Sequence, residues 1–395
     1  MKIYDEAIPS IGYIGYLGFA AQIPWTIILV YLPIIESVVG GTTFAYTLSL
    51  AMGLACNIVR FCVVCYGRNF SLYKRIFFGA FLSCLFTFGY FAIYLGSDPN
   101  TNLPAVSTWG FWVGLLVALL GGAGNAQLMS TGYGIASIVS IKKPIANTLF
   151  FFGQAMASAL CWPLKTLVES FTQSQLVQIG VTMCLISLVS LSVIPVYTHR
   201  ISRYSNLQSD GTLSWSSAMG IFRKAMFPLT CLWLTYFCTN LVTPGQLLQW
   251  SVPMDDGNDL MRDDKWYRSL CSYVHLLSDA VGKSCVVAVA MNPLRMQAVL
   301  SSRWIKIALS VFVVVRICML PLFYWPPDDV LGRFLFLVVY GLMNGLTASL
   351  AVSLCSASVG PGENDVAGYL SSFTIINGLF IGSLAGMLVR FTIQS

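Results

Sequence analysis

Long apolar stretches alternate with short polar ones along almost the whole chain. A membrane-spanning helix needs about 20 predominantly apolar residues, and eleven stretches of the sequence meet that requirement. The predicted spans lie at 12–36, 43–66, 76–96, 109–139, 145–168, 176–196, 225–248, 269–291, 305–325, 333–354 and 366–390. The pattern therefore predicts an all-α integral membrane protein, with its two termini on opposite sides of the bilayer.

The longest polar connection separates six of these spans from the other five. It is rich in serine and weakly basic, as in RISRYSNLQSDGTLSWSSAMG, and such a composition is typical of a linker. We therefore predict a six-helix lobe over 1–197, a cytoplasmic linker over 198–224 and a five-helix lobe over 225–395. Two helical lobes around a central cavity are typical of transporters.

Composition agrees with a lipid environment, because 56% of residues are hydrophobic and only 10% are charged. A soluble domain carries about 25% charged residues. The bilayer is therefore one predicted partner, and the net charge of +6 is explained by topology without a nucleic acid partner. The sequence does not fix the oligomeric state and is compatible with a monomer.

Orientation follows from the Lys and Arg residues of the loops, which favour the cytoplasmic side. With the N-terminus inside, thirteen of these residues are cytoplasmic and six are external. The external loops also hold most of the acidic residues, as in MDDGNDLMRDD. We therefore predict a cytoplasmic N-terminus and an extracellular C-terminus.

Three ionisable residues share one face of the predicted span 269–291. Asp279 and Lys283 are one helical turn apart, and His275 lies one turn before Asp279. Charges inside a bilayer are costly and are usually paired, inward-facing and functional. This face is therefore predicted to line a substrate pathway. For His275 two interpretations stay open, a hydrogen-bonded core residue or a proton relay.

Two arginines lie in other spans. Arg60 either reaches the inner interface with its long side chain or has a polar role inside the bundle. Arg316 lies too deep for that reach, about 15 Å along the helix from Lys306. We therefore expect Arg316 to have a carboxylate or a carbonyl partner.

The first half of the chain offers an amide and an aromatic ring inside spans. Gln127 needs partners for its donors and its acceptor, and it faces either a substrate or a neighbouring helix. Trp25 lies near the middle of its span, where it either stacks on a flat ligand or packs in the core.

The sequence lacks the groups that an enzyme or a metal site would need. It contains two histidines, His199 and His275, and no Cys/His spacing that fits zinc. The run AVGKS lacks the first glycine and the strand of a phosphate-binding loop. We therefore expect no catalytic residues, no metal and no cofactor.

The order of several short motifs resembles the equilibrative nucleoside transporters, over most of the chain. In the first half the resemblance is carried by the pair Pro24–Trp25, by QLMSTGYG beginning at Gln127, and by Gly153–Gln154. In the second half the matching fragments are Phe227–Pro228, Asp279-Ala-Val-Gly282-Lys283, Arg316 with Pro321, Asn344–Gly345 and Asp365-Val-Ala367-Gly368.

This resemblance implies a major-facilitator-like bundle, nucleosides as substrates and a plasma membrane location, and some features look like protozoan members. It implies that Trp25 stacks on the base, Gln127 reads its edge and Asp279 accepts from ribose hydroxyls. Lys283, Gln154 and His275 complete the expected substrate-binding set, and Phe227, Pro228, Arg60, Arg316 and Asn344 are expected to be gating or structural residues. Lys283 stands where the family usually has arginine, and lysine lacks the planar fork of arginine.

The same resemblance implies alternating access, with Phe227–Pro228 near the outer gate and the connections between spans four and five and between spans ten and eleven near the inner gate. The expected function is facilitative transport of nucleosides, purine nucleosides such as inosine and adenosine or nucleobases. The alternatives are a proton-coupled nucleoside carrier, a carrier of another small polar solute such as a sugar or an amino acid, and a membrane enzyme or non-transporting scaffold.

Overall fold

A computed structural model describes residues 11–39, 44–96, 108–141, 143–201, 215–243, 247, 250–251, 264–360 and 362–394. In these ranges the chain forms helices joined by short connections and contains no β-strand. The all-α architecture predicted from the hydrophobic pattern is confirmed.

Six long helices form the first lobe, and each coincides with a predicted span to within a few residues. They are α1 Ile11–Val39, α2 Phe44–Tyr66, α3 Leu72–Leu95, α4 Thr108–Ser140, α5 Ile145–Phe171 and α6 Gln175–Val196. A five-residue π-helix, Tyr197–Ile201, follows α6.

The second lobe contains both long and short helices. They are α7 Trp215–Lys224, α8 Met226–Val242, α9 Asp264–Ala290, α10 Pro293–Ser301, α11 Arg303–Met319, α12 Pro321–Tyr324, α13 Val330–Ala357 and α14 Asn364–Gln394. Ten helices of the described ranges are long and apolar enough to cross a membrane, and the bent pair α7–α8 brings the number to eleven if it counts as one span.

The α7–α8 pair differs from the sequence prediction. Helix α7 lies inside the segment predicted as a linker, and it meets α8 at an angle of 80° beside Ala225. Helix α8 ends at Val242 rather than at residue 248. Among the other helices, α13 begins where the side chain of Asp329 accepts a hydrogen bond from the Gly332 amide, an N-cap.

Close helix crossings inside the lobes depend on glycine. An added Cβ at Gly153 of α5 would overlap the backbone of Gly15 in α1, and one at Gly345 of α13 would overlap the carbonyl oxygen of Asp279 in α9. Small residues let helices approach closely in membranes, where burial of apolar surface gives no driving force. The two lobes meet along α2 and α4 against α14, and along α5 against α9.

The outer surface of the bundle is apolar. Large hydrophobic side chains are exposed along α2, α3, α6 and α11, among them Ile58, Phe78, Leu188 and Val314. Such a continuous apolar surface would be unfavourable in water, and it suits contact with lipid chains.

Candidate functional site

A cavity of about 340 Å³ lies between the two lobes. Its lining residues come from α1, α2, α4, α5, α8, α9, α13 and α14. The lining extends to Lys165 near the C-terminus of α5 and to Thr243 directly after α8, and we call this end of the bundle the open end. The opposite end, where the α4–α5 and α13–α14 connections lie, is called the closed end. The volume is in the range of small-molecule sites.

The second lobe contributes a buried ion pair to the cavity wall. The Nζ atom of Lys283 lies 2.6 Å from Oδ2 of Asp279. Lys283 is 5% exposed and Asp279 is 6% exposed. The other carboxylate oxygen, Oδ1, accepts a hydrogen bond of 2.7 Å from the amide of Asn344 on α13. The spacing of one helical turn predicted from the sequence therefore brings the two charges into direct contact.

A hydrogen-bonded chain extends from this pair into the core. Thr239 of α8 donates to Oδ1 of Asn344 at 2.9 Å and accepts from Nη2 of Arg316 at 2.8 Å. Arg316 is fully buried, and its Nη1 donates to the carbonyl of Tyr340 at 2.7 Å. The expected partner of Arg316 is thus a carbonyl, and the arginine connects α11 with α8 and α13 behind the cavity wall.

The first lobe contributes a second cation, Arg60 of α2. Its Nη2 donates to Oδ1 of Asn125 at 2.9 Å, and its Nη1 donates to the carbonyl of Ser372 at 2.6 Å. Asn125 in turn donates to the carbonyl of Ala21 at 3.0 Å. Arg60 is only 3% exposed, so it does not reach the membrane interface as one interpretation of the sequence held. It instead lines the cavity and joins α2 to α4 and α14.

Gln154 lies in the cavity wall as the sequence predicted. Its side chain exchanges hydrogen bonds with the hydroxyl of Tyr133, at 3.1 Å from Nε2 and 3.4 Å to Oε1. The ring of Phe151, one turn before Gln154, lies 5.5 Å from Nζ of Lys283. Helix α5 therefore brings an aromatic face of the first lobe to the ion pair of the second.

Aromatic rings line the wider part of the cavity. Trp25 of α1 is half-buried and faces the cavity. Trp162 of α5 and Tyr273 of α9 stack on each other across the lobes, with ring centres 5.2 Å apart. Tyr236 and Phe380 complete the aromatic lining. Flat faces of this kind can stack on a planar ligand.

His275 lines the cavity one turn before Asp279. It is 4% exposed, and its ring lies against Tyr340, with centres 5.7 Å apart. Its Nδ1 atom has no hydrogen-bond partner among the described residues. A buried polar atom without a partner is costly unless a ligand or water satisfies it.

The closed end is sealed by direct contacts between the lobes. Arg75 of α3 donates to the hydroxyl of Tyr369 on α14 at 3.1 Å. Asn147 of α5 donates to Ser356 of α13 at 2.8 Å. An added Cβ at Gly368 would overlap the carbonyl oxygen of Tyr133, so α14 and α4 are in close contact there. Among the described residues, the lobes therefore close the cavity at this end.

Comparisons with solved structures identify this arrangement of helices. The E. coli fucose:proton symporter aligns with 98% of this chain and 93% of its own, with a TM-score of 0.65 and 12% identity. A bacterial homologue of the iron transporter ferroportin, in an outward-facing state, aligns with 96% of this chain and 92% of its own, with a TM-score of 0.68 and 13% identity. A second structure of the fucose symporter, in the outward conformation, is described as a major facilitator superfamily transporter.

The chain has the major facilitator fold. The predicted two-lobed bundle is thereby confirmed, with α1–α6 in one lobe and α8–α14 in the other. No protein-family model matches the sequence, and no curated protein matches it.

Phe227 and Pro228, which were expected near the outer gate, lie at the other end of the bundle. Helix α8 begins at Met226, two residues after Lys224, whose Nζ lies 2.7 Å from Glu363 in the α13–α14 connection. Phe227 and Pro228 are therefore at the closed end, which is the predicted inner side. The prediction of an outer gate at these residues is wrong, because the second lobe begins and reconnects at the same end.

Gln127 is not brought to the cavity. It lies two residues after Asn125, about 200° around the helix, and it is absent from the lining, whereas Asn125, Met129 and Tyr133 are present. Its Oε1 is buried without a hydrogen-bond partner among the described residues. The cavity face of α4 repeats every four residues through Asn125, Met129 and Tyr133, and the sequence alone does not show which face of the helix this is.

Other lining residues escaped the sequence analysis. Trp162, Tyr236 and Tyr273 belong to this group, because an aromatic residue in an apolar span is indistinguishable from core packing without its neighbours. Thr239 was also missed. Its role as a bridge between Asn344 and Arg316 depends on a contact between α8, α11 and α13 that local spacing does not encode.

Proposed function

We propose that the protein is a facilitative transporter of nucleosides that works by alternating access, with purine nucleosides such as inosine and adenosine as substrates. The observation that carries this proposal is the cavity between the lobes, which is closed at one end and combines stacking rings with the buried pair Asp279–Lys283. A nucleoside is flat and apolar on its faces, and it is polar on its edges and its sugar.

The fold supports transport as the activity. The solved proteins of similar architecture are transporters, one of fucose with protons and one related to an iron transporter. Their function as transporters also agrees with the expectation that this chain is not an enzyme. Alternating access in such folds is largely a rocking of one lobe against the other around a fixed site.

The chemistry of the cavity supports a nucleoside as the substrate. Asp279 keeps acceptor capacity on its oxygens beyond the bonds from Lys283 and Asn344, so it can accept from a ribose hydroxyl. Lys283 can donate to the same sugar. Trp25 offers a ring on which the base can stack. The resemblance of the motif order to the equilibrative nucleoside transporters implies the same substrate for these residues.

The contacts between the lobes at the closed end support a rocking movement that begins with this end closed. With the N-terminus in the cytoplasm, the open end is extracellular and the described conformation is outward-open. Substrate binding would draw the walls of the open end together and release the closed end, where Arg75 holds Tyr369. We propose the plasma membrane as the location, from the same family resemblance.

The test is uptake of labelled inosine, adenosine and uridine into proteoliposomes containing the purified protein. The variant Asp279→Asn keeps the size of the side chain and removes the charge, and Glu169→Gln at the mouth is the matched control, because Glu169 pairs with Lys165 and does not line the cavity. Saturable uptake lost only in Asp279→Asn supports the proposal. Absence of nucleoside uptake, with uptake of a sugar or an amino acid, would overturn it.

A second candidate is proton-coupled uptake of the same solutes. The observation that favours it is His275, whose Nδ1 lies unpartnered in the cavity wall one turn from Asp279. Uptake driven by an imposed pH gradient in the wild type, and lost in His275→Gln, would favour this mechanism. Uptake that the gradient leaves unchanged would favour the facilitative one.

A further inference from the structure

Arg60 is a cation in the cavity wall without a counter-ion. Its two hydrogen bonds go to the amide oxygen of Asn125 and to the backbone carbonyl of Ser372. Among the described residues it makes no ion pair with a carboxylate, since Asp279 is engaged by Lys283 and the other two ion pairs are Lys165–Glu169 and Lys224–Glu363. A buried charge that lacks a compensating partner is costly to keep.

Most of the hydrogen-bonding capacity of Arg60 is unused. A guanidinium carries five N–H donors, and only two are engaged. Its Nε has no partner although it is buried. Nη1 and Nη2 each keep a second hydrogen, and two neighbouring donors of a guanidinium can match two neighbouring acceptor atoms. The side chain is thus prepared for a ligand that offers a pair of acceptors.

The amides nearby are already committed to the protein. Asn125 accepts from Arg60 with Oδ1 and donates with Nδ2 to the carbonyl of Ala21. Gln154 exchanges hydrogen bonds with Tyr133. An adenine base would need an acceptor for its exocyclic amino group, and these two amides have turned their oxygens to donors of the protein. Arg60, in contrast, offers only donors to a ligand in this wall.

We propose that Arg60 makes the carrier selective for purine nucleosides with a carbonyl at position 6. In such bases O6 and N7 are adjacent acceptors, and a bidentate arginine is the commonest specific contact to that pair. Adenine presents an amino group in place of O6, and that group would oppose the donors of Arg60. The inference rests on the proposed function and adds to it a preference within the substrate class.

The position of Arg60 fits a nucleoside that spans the two lobes. Arg60 lines the cavity from α2 of the first lobe, and Asp279 and Lys283 line it from α9 of the second. The base would lie against Arg60 of the first lobe, and the ribose would reach Asp279 and Lys283 of the second. Tyr133 and Tyr236 line the same cavity.

The experiment measures the specificity constants for inosine and adenosine in proteoliposomes and takes their ratio. The ratio does not depend on how much of the protein is folded or inserted. We expect the wild type to prefer inosine by about tenfold, the discrimination typical of one bidentate contact. Inhibition of inosine uptake by 7-deazainosine, which keeps the carbonyl and lacks N7, should be several-fold weaker than by inosine itself.

Substitution then assigns the preference to a residue. Arg60→Lys keeps the charge and loses the planar pair of donors, and we expect the inosine-to-adenosine ratio to fall towards one. The matched control is Arg75→Lys, which changes a buried arginine of the closed end that does not line the cavity. Its ratio should equal that of the wild type even if total uptake falls.

The outcomes separate this inference from the proposed function. Equal transport of inosine and adenosine by the wild type overturns the selectivity of Arg60 and leaves nucleoside transport in place. A fall of both rates in Arg60→Lys with an unchanged ratio also overturns it, because Arg60 would then only hold α2 to α14. If no nucleoside is transported at all, the proposed function fails and this inference fails with it. If Arg60→Lys does not fold, the wild-type ratio and the 7-deazainosine result decide.

Discussion

Asn344 donates a hydrogen bond of 2.7 Å to Asp279 and so ties α13 to the carboxylate that faces the cavity. This bond uses one oxygen of Asp279, and Lys283 uses the other. The carboxylate is therefore held in one orientation by a neighbouring helix and by its own. Such support from residues behind a site is typical of positions that must bind a ligand in a defined geometry.

Removing one member of the ion pair should destabilise the protein more than removing both. Asp279→Ala leaves Lys283 buried and unpaired, and we expect a loss of about 3 kcal/mol. The double variant Asp279→Ala/Lys283→Met removes both charges, and it should regain much of that loss while transport stays absent. Thermal unfolding in detergent, together with uptake assays, measures both effects. Equal stability of the single and double variants would contradict the role of the pair.

The parts of the fold that depend on local sequence pattern were predictable, and those that depend on packing between distant helices were not. The spans could be predicted because lipid requires long apolar helices. Gly345 was singled out because it belongs to Asn344–Gly345, one of the fragments that carry the family resemblance. The bend at Ala225 was not predictable, since α7 is short and amphipathic and its direction depends on packing against α2 and α14. Phe227 and Pro228 directly follow the predicted cytoplasmic linker, so the predicted topology places them at the inner end, and the family resemblance had assigned them to the outer gate.

The candidate site was predictable only within one helix. His275, Asp279 and Lys283 share a face because of local spacing, and all three line the cavity. The choice of Gln127 over Asn125 failed because both are amides in an apolar span, and only the rotation of α4 distinguishes them. The link from Arg60 to Ser372 joins residues 312 positions apart, so the sequence held no local signal for it.

The crossing of α9 and α13 should not tolerate a methyl group at its centre. In Gly345→Ala the new Cβ would overlap the carbonyl oxygen of Asp279, and overpacking of this kind costs about 1–3 kcal/mol. We expect a lower melting temperature and reduced uptake, since the shift displaces Asp279 as well. Gly220→Ala in α7 is the control, because nothing lies within 4 Å of its new Cβ. Unchanged stability of Gly345→Ala would refute the close crossing.

The pair Lys224–Glu363 should stabilise the folded protein at neutral pH and lose this contribution at low pH. The hydrogen bond from Lys224, followed by one from the amide of Gly360, lowers the pKa of Glu363 below its usual range. The stabilisation is present above the unfolded pKa, near 4.5, and is lost as the pH falls through the lower folded value. It should be at most about 1 kcal/mol because Lys224 is half-exposed.

Glu363→Gln is the variant that isolates this contribution. Its melting temperature should lie slightly below that of the wild type at pH 6 to 7, and the two should converge below the folded pKa of Glu363. Lys165 and Glu169 form a pair with a similar distance at the mouth of the cavity, and Glu169→Gln serves as a comparison. A difference between wild type and Glu363→Gln that grows in acid would exclude the assigned direction.

The closed end should open when one of its close contacts between the lobes is wedged apart. An added Cβ at Gly368 would overlap the carbonyl oxygen of Tyr133 in the other lobe, so Gly368→Ala should shift the population towards the state that is open at this end. The thiol of Cys355 is fully buried beside Ala367 there. Its alkylation, read by mass spectrometry, should accelerate in Gly368→Ala and stay slow in Gly12→Ala, where the new Cβ meets nothing. Impaired transport with Cys355 still protected would mean that the substitution damages the lobe without moving it.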